Sequence, residues 1–358
     1  MPDLRLTILG VPLNAIILTC AIGCLGAVIA SVLRLPLPFL LGSMLAVAGV
    51  AAAGMRPLGI APAMPQRLRM WLIPVVGVAI GGTFTPDLLQ GIGRWWPSIV
   101  GLALFIPLVH WCGYQLFLRA GGLSPQTAFF AAIPGGLIEA IAMGEDAGAD
   151  IQMLTMLQFL RLILSIVLVP LIFTILTGAA VGSASGVQID TGVAGLGAWD
   201  VAVLMASGII GFVLGQRLHL PGGVITGPIV VSGLAHLAGL TAAVPPGWMI
   251  AITQLVVGIS LGVRFLGLPR GTLGKAFGLA LANCALTLGI GFLFALALHG
   301  AVGEKTGTVF LAFAPGGVAE MSLVALSLQV SVIYVTAHHV LRILLSVLVA
   351  QIFAGRLR

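Results

Sequence analysis

Pro134-Gly135-Gly136-Leu137-Ile138-Glu139 occurs a second time, 181 residues on, as Pro315-Gly316-Gly317-Val318-Ala319-Glu320. The match continues around the motif without a gap. Thr127/Thr308, Phe129/Phe310, Ala131/Ala312, Thr155/Thr336, Leu160/Leu341, Arg161/Arg342, Leu164/Leu345 and Ser165/Ser346 all pair at the same offset. Apolar sequence aligned by chance matches Leu, Ala and Val; it rarely matches Pro, Glu and Arg together. The chain reads as a duplication, with one rare polar constellation in each half.

The surroundings of the motif set the class. Hydrophobic residues make up 59% of the 358 and charged residues 7%, whereas a soluble domain carries about 25% charged residues. A solvated surface cannot be built from this composition, so an all-α integral membrane protein is expected, in contact with the lipid bilayer. The 49 glycines suit helices that approach closely in lipid. The net charge of +6 comes from single basic residues at the ends of apolar segments, where they orient a membrane protein, and gives no nucleic-acid surface. Cys20, Cys24, Cys112 and Cys284 lie singly inside apolar segments without metal-ligand spacing.

Apolar segments fall at 12–33, 36–54, 66–83, 97–118 and 151–177, and again at 201–218, 221–240, 247–265, 276–298 and 331–354. The earlier ones repeat too: Leu35-Pro36 with Gly42 matches Leu220-Pro221 with Gly227, and Val75-Val76-Gly77 matches Val256-Val257-Gly258. This divides the chain into a first membrane repeat at 10–177, a Gly/Ala/Ser-rich linker at 178–200 and a second repeat at 201–354. The motif regions, 124–150 and 305–330, are each interrupted by Pro-Gly-Gly, which removes a backbone donor and permits a reversal. The ten residues Ser124–Ile133 make a helix of about 15 Å, half of a roughly 30 Å hydrocarbon core. A re-entrant hairpin is expected, with a full span unwound at its centre as the alternative. With both regions re-entrant, one side carries Arg5, Arg56, Arg67, Arg69, Arg119, Arg217, Arg264, Arg270, Lys275, Arg356 and Arg358. The other side keeps Arg34, Arg94 and Lys305. That asymmetry obeys the positive-inside rule with both termini cytoplasmic. The expectation is about ten transmembrane helices, two re-entrant hairpins and an inverted second half in a bacterial inner membrane.

Inverted repeats whose broken helices meet near the midplane are built to bind solutes there. Backbone freed by Gly135-Gly136 and Gly316-Gly317 must be buried in protein or line a watery cavity, and the helix starts beyond them attract anions. Glu139 and Glu320 sit in those first turns; they either cap the helix or titrate as coupling carboxylates. Arg161 and Arg342 lie deep in the closing spans, as half of a buried Arg–Glu pair or as anchors for a substrate anion. Thr155, Gln158, Arg161 and Ser165 trace a polar helical stripe, matched by Thr336, His339, Arg342 and Ser346. His338 and His339 occur in the second half alone, as packed histidines or a proton relay. Asn283 and Gln254 are minor polar candidates. No metal site, cofactor motif or enzymatic constellation is found, and no enzyme is expected.

The duplicated PGG-x-x-E element, followed by a span holding Arg and Ser four apart, resembles the bacterial AbrB-type membrane proteins over residues 10–354. Members carry labels of gene-expression regulator and of ammonia monooxygenase; the residues here support neither, and the soluble DNA-binding AbrB factor shares a name only. The family also looks like a distant relative of the citrate and glutamate sodium symporters. That resemblance implies a homodimer with a scaffold part and a mobile part carrying the hairpins. The expected function is secondary transport of a small anionic solute coupled to H⁺ or Na⁺. Gly135, Gly136, Gly316, Gly317, Arg161, Arg342, Thr155, Thr336, Ser165 and Ser346 would bind the solute, and Glu139, Glu320 and His339 the ion. The alternatives are a non-transporting membrane regulator and, third, a membrane-bound oxygenase subunit with His338, His339, Glu139 and Glu320 as its available ligands.

Overall fold

The computed structural model describes residues 7–84, 92–177, 196–220, 222–267 and 270–354. Most of the expected linker at 178–200 lies outside the described residues, as do Arg5, Arg356 and Arg358. Apart from a small antiparallel ribbon, Thr7–Ile8 (β1) against Val11–Pro12 (β2), and short 3-10 turns, the regular structure is α-helical. The first series of helices is α1 Leu13–Val32, α2 Pro38–Ala52, α3 Gln66–Gly81, α4 Trp96–Arg119, α5 Pro125–Ala132, α6 Leu137–Asp146 and α7 Ile151–Thr177. The second is α8 Ala198–Arg217, α9 Gly223–Leu237, α10 Gly247–Gly262, α11 Arg270–Val302, α12 Thr306–Phe313, α13 Val318–Ser327 and α14 Val332–Ala354.

Among the described residues seven helices are long and apolar enough to cross a membrane: α1, α4, α7, α8, α10 with its following 3-10 turn, α11 and α14. The protein is an all-α, multi-pass membrane protein. The other three of the ten expected crossings, α2, α3 and α9, have 15, 16 and 15 residues, or about 23 Å. Backbone punctuation shortens them. Leu37 ahead of α2 has φ +46° with Pro38 at the first helical position, Pro65 precedes α3, and Gly222 ahead of α9 has φ +60°. Large apolar side chains such as Ile17, Leu25 and Val28 of α1, and Met205 and Ile209 of α8, stand exposed, as lipid-facing groups do.

The helices gather into two compact units that do not follow the order of the chain. One holds α1–α3 with α8–α10. Here small residues set the contacts. Gly26 of α1 meets Gly42 of α2, and Gly211 of α8 meets Gly227 and Pro228 of α9; a Cβ at any of the four glycines would strike facing backbone. The third helices exchange partners. Gly77 of α3 packs where a Cβ would lie 2.7 Å from Ile225 O of α9, while Gly258 of α10 packs on Leu40 and Ser43 of α2. Ser232 Oγ donates to Val78 O at 2.9 Å and Ser43 Oγ to Leu255 O at 3.3 Å across the same two seams.

The other unit holds α4–α6, α7 as far as Val169, α11, α12, most of α13, and α14. Phe129, Phe130, Ile133, Ala140 and Leu154 form a buried cluster in it. Both Pro-Gly-Gly elements lie in this unit.

Candidate functional site

Each Pro-Gly-Gly element is a break between two short helices. Ser124 caps α5, its Oγ accepting from Thr127 N at 3.3 Å. α5 stops at Ala132, and Gly136, with φ +70°, opens α6. The second copy runs α12, Ala314-Pro315-Gly316-Gly317, α13. A helix end leaves its last carbonyls without intrahelical donors, and no water serves them inside a bilayer. The neighbouring helices supply the donors.

At the end of α5, His110 Nε2 of α4 donates to Phe129 O at 3.0 Å. Gln158 Nε2 of α7 reaches Phe130 O, Ala131 O and Ile133 O at 3.0, 3.2 and 3.3 Å. Arg161 Nη1, also on α7, donates to Ile133 O. At the end of α12 the scheme repeats with changed residues. His339 Nε2 of α14 donates to Leu311 O at 3.0 Å, Arg342 Nη1 to Ala314 O and Arg342 Nη2 to Gly316 O. His339 thus does the work of Gln158, which explains why these two residues align, and each guanidinium faces the negative pole of a helix.

The tips also cross over. A Cβ on Gly135 would lie 3.1 Å from Ser346 Oγ and 3.5 Å from Arg342 O, so the first break rests on α14. Gly317 faces Leu162 of α7, where a Cβ would lie 3.5 Å from its Cδ1. Both breaks and both arginines therefore share one locus, and each guanidinium is within electrostatic reach of the other. Arg161 is 7% and Arg342 1% exposed. Neither meets a carboxylate among the described residues: their bonds are to carbonyls, and the Nε of each is buried without a partner. The Arg–Glu pairs considered from the sequence are not formed here.

The two glutamates take unlike positions. Each carboxylate folds back over the second glycine of its motif; a Cβ on Gly136 would lie 3.0 Å from Glu139 Oε2, and one on Gly317 would collide with Glu320 Oε2. Glu139 is exposed, whereas Glu320 is 2% exposed. Ser165 Oγ donates to Arg161 O at 2.7 Å, while Ser346 Oγ is buried without a partner. Thr336 Oγ1 pairs with Ser322 Oγ at 2.7 Å; Thr155 is half-buried and makes none of these bonds. Of the minor candidates, Asn283 lies beside Gly113 of α4 in the same unit, and Gln254 is on α10 in the other unit. His110 carried no sequence signal, standing alone in an apolar helix. Among the described residues no three His, Cys, Asp or Glu side chains gather as metal ligands.

Residues 50–358 match the family described as transition state regulatory protein AbrB. The chain is 24% identical to the uncharacterized protein YhjN of Bacillus subtilis (strain 168), over 91% of this chain and 88% of that one. It is 23% identical to a protein of Escherichia coli (strain K12) provisionally named regulator AbrB, over 65% of this chain and 64% of that one.

Proposed function

The chain belongs to the AbrB family of membrane proteins, and from that premise we propose that it is a secondary transporter of a small anionic solute, coupled to H⁺ or Na⁺. One observation carries this reading: two buried guanidinia lie together beside two broken helices, with no carboxylate to neutralise them. Buried like charges of this kind are costly, and a solute anion seated between the breaks would offset the cost. The helix starts at Leu137 and Val318 would add backbone donors, with Arg161 and Arg342 as anchors and the unpartnered Ser346 hydroxyl as a further contact. Glu139 and Glu320 would hold the coupling ion.

In this proposal α2, α3 and α9 complete ten crossings, the two Pro-Gly-Gly elements enter from opposite faces of the inner membrane, and both termini are cytoplasmic. The protein works as a homodimer, the unit bearing the breaks moving the solute. The test is a thermal-shift screen of the purified protein against small carboxylates, amino acids and inorganic anions. Each is run with and without Na⁺ and at two pH values, beside Glu139→Gln and Arg342→Lys. A ligand that stabilises the native chain by RT ln(1 + [L]/Kd) and loses this effect in the variants supports the proposal. No stabilising anion in the whole series favours instead a membrane regulator, as the name of the Escherichia coli relative suggests.

A further inference from the structure

The second series of helices carries a polar cluster that the first does without. His338 is buried on α14, one turn before Arg342, and three contacts fix its hydrogen count. Nδ1 lies 2.8 Å from Tyr334 O, a carbonyl that can only accept, so Nδ1 carries a hydrogen. Nε2 lies 2.8 Å from Ser98 Oγ of α4. The same Oγ lies 2.8 Å from Trp95 O. A neutral imidazole then has a bare Nε2, to which the serine hydroxyl donates, while Trp95 O keeps the backbone N–H groups of Ser98 and Ile99 at 3.0 Å. The serine hydrogen has two acceptors within reach and can turn from one to the other.

A proton added to the Nε2 lone pair is accommodated with every heavy atom in place. Nε2–H donates to Ser98 Oγ, the serine hydrogen turns to Trp95 O, and Nδ1–H keeps Tyr334 O; release reverses these steps. Burial alone favours the neutral ring. Against it stands the ring of Tyr334, its centroid 4.1 Å from that of His338, within the range in which aromatic faces attract cations, with Phe313 and Trp95 farther out at 6.3 and 6.4 Å. The ionisable groups around the ring are Tyr334, His339 and Arg342 on α14 and Glu304 in the turn between α11 and α12. Arg342 opposes the charge. Glu304 faces Ser331 and acts on Tyr334, and burial raises its carboxyl above the ordinary carboxylate range. Ser331, Tyr334, His338 and Arg342 recur at three, four and four residues, one face of a helix leading from Glu304 to the arginine pair.

The duplication supplies an internal control. Where the second series has Glu304, Tyr334 and His338, the first has Leu123, Met153 and Leu157, and Met153 and Leu157 are buried. The fold is thus made at these positions with apolar side chains, and the polar set answers to something else. We infer that His338, held by Ser98 and Tyr334 beside the tyrosine ring, is a proton-binding site; on the transport reading above, it carries a coupled H⁺ in addition to the ion at Glu139 and Glu320.

The test is nitrogen NMR of the full chain in lipid nanodiscs with ¹⁵N-labelled histidine, titrated from about pH 8 to about pH 5 without solute. The expected result is one imidazole that passes from the Nδ1–H form to the doubly protonated form and is missing from His338→Leu and His338→Gln. In Ser98→Ala the same imidazole binds its proton about tenfold more weakly. A His338 signal that keeps a single proton throughout, or that titrates unchanged in Ser98→Ala, overturns the inference. Protonation of His338 with no anion bound in the thermal-shift screen sustains this site and removes the transport reading. A neutral His338 beside a bound carboxylate does the reverse.

Discussion

Arg342 donates to two carbonyls at the second break, Ala314 O and Gly316 O. Arg342→Ala removes the guanidinium donors from both, at about 1–3 kcal/mol for a buried carbonyl left unserved, so its unfolding midpoint in detergent is expected well below that of the native chain. Arg342→Lys keeps the charge but not the fork and should recover about half of the loss. Glu139→Gln, on an exposed carboxylate, is expected to stay within about 0.5 kcal/mol of the native stability; a large loss would show that Glu139 makes an internal bond. Glu304 gives a pH signature. Its folded carboxyl holds a proton more tightly than the unfolded one, so its contribution to stability is full at low pH. It declines as pH rises from the ordinary carboxylate value to the raised folded one. Glu304→Gln should flatten that decline in a melting series. At this scale the sequence singled out residues that the structure brings to the ends of α5 and α12, and paired the arginines with glutamates where the structure pairs them with carbonyls. Arg161, Gln158, His339 and Arg342 were legible as a stripe because lipid tolerates no idle polar group. Their partners were not, because backbone carbonyls are present at every position and leave no mark in a sequence.

The helices were legible where hydropathy and length coincide, as in α1, α4 and α11, and less so where backbone geometry cuts an apolar run. The positive φ of Leu37 and Gly222 fixes the starts of α2 and α9, yet leucine gives no warning of such a conformation. The Gly42/Gly227 correspondence was visible; the partners Gly26 and Gly211 were lost among the many other glycines. These four positions make the same contact twice, so Gly26→Val and Gly211→Val should fail alike. A side chain there must displace facing backbone, which exceeds the about 1–3 kcal/mol of ordinary overpacking. Both variants are expected to lose folded protein in size-exclusion profiles, whereas Gly49→Val, in open space on α2, should not. Gln158→Leu tests the end of α5: Phe130 O and Ala131 O lose the amide donor and Ile133 O is left with Arg161 alone, and the expected effect is a lowered melting point together with faster hydrogen exchange around Ile133.

For the whole molecule, membrane class and duplication followed from composition and offset. The grouping into units did not, because it is decided by which glycine face meets which. The charge asymmetry makes a prediction at this scale. In oriented vesicles a cysteine at Glu145 should react with an impermeant maleimide from the side of the termini, and one at Lys305 from the opposite side; the same side for both would refute the inverted arrangement. The exchange of partners between third helices has a consequence for biosynthesis. α3 leaves the ribosome more than a hundred residues before α9, which at about 5–20 residues per second is an interval on the order of ten seconds or more. Through that interval the glycine surface of α3 has only lipid against it, and α2 waits likewise for α10. A nascent chain stopped at the midpoint is therefore an incomplete half whose contact surfaces belong to a segment not yet translated. The same geometry means that two separately encoded halves, made together, would find each other in the bilayer, whereas either made alone would be cleared by membrane proteases.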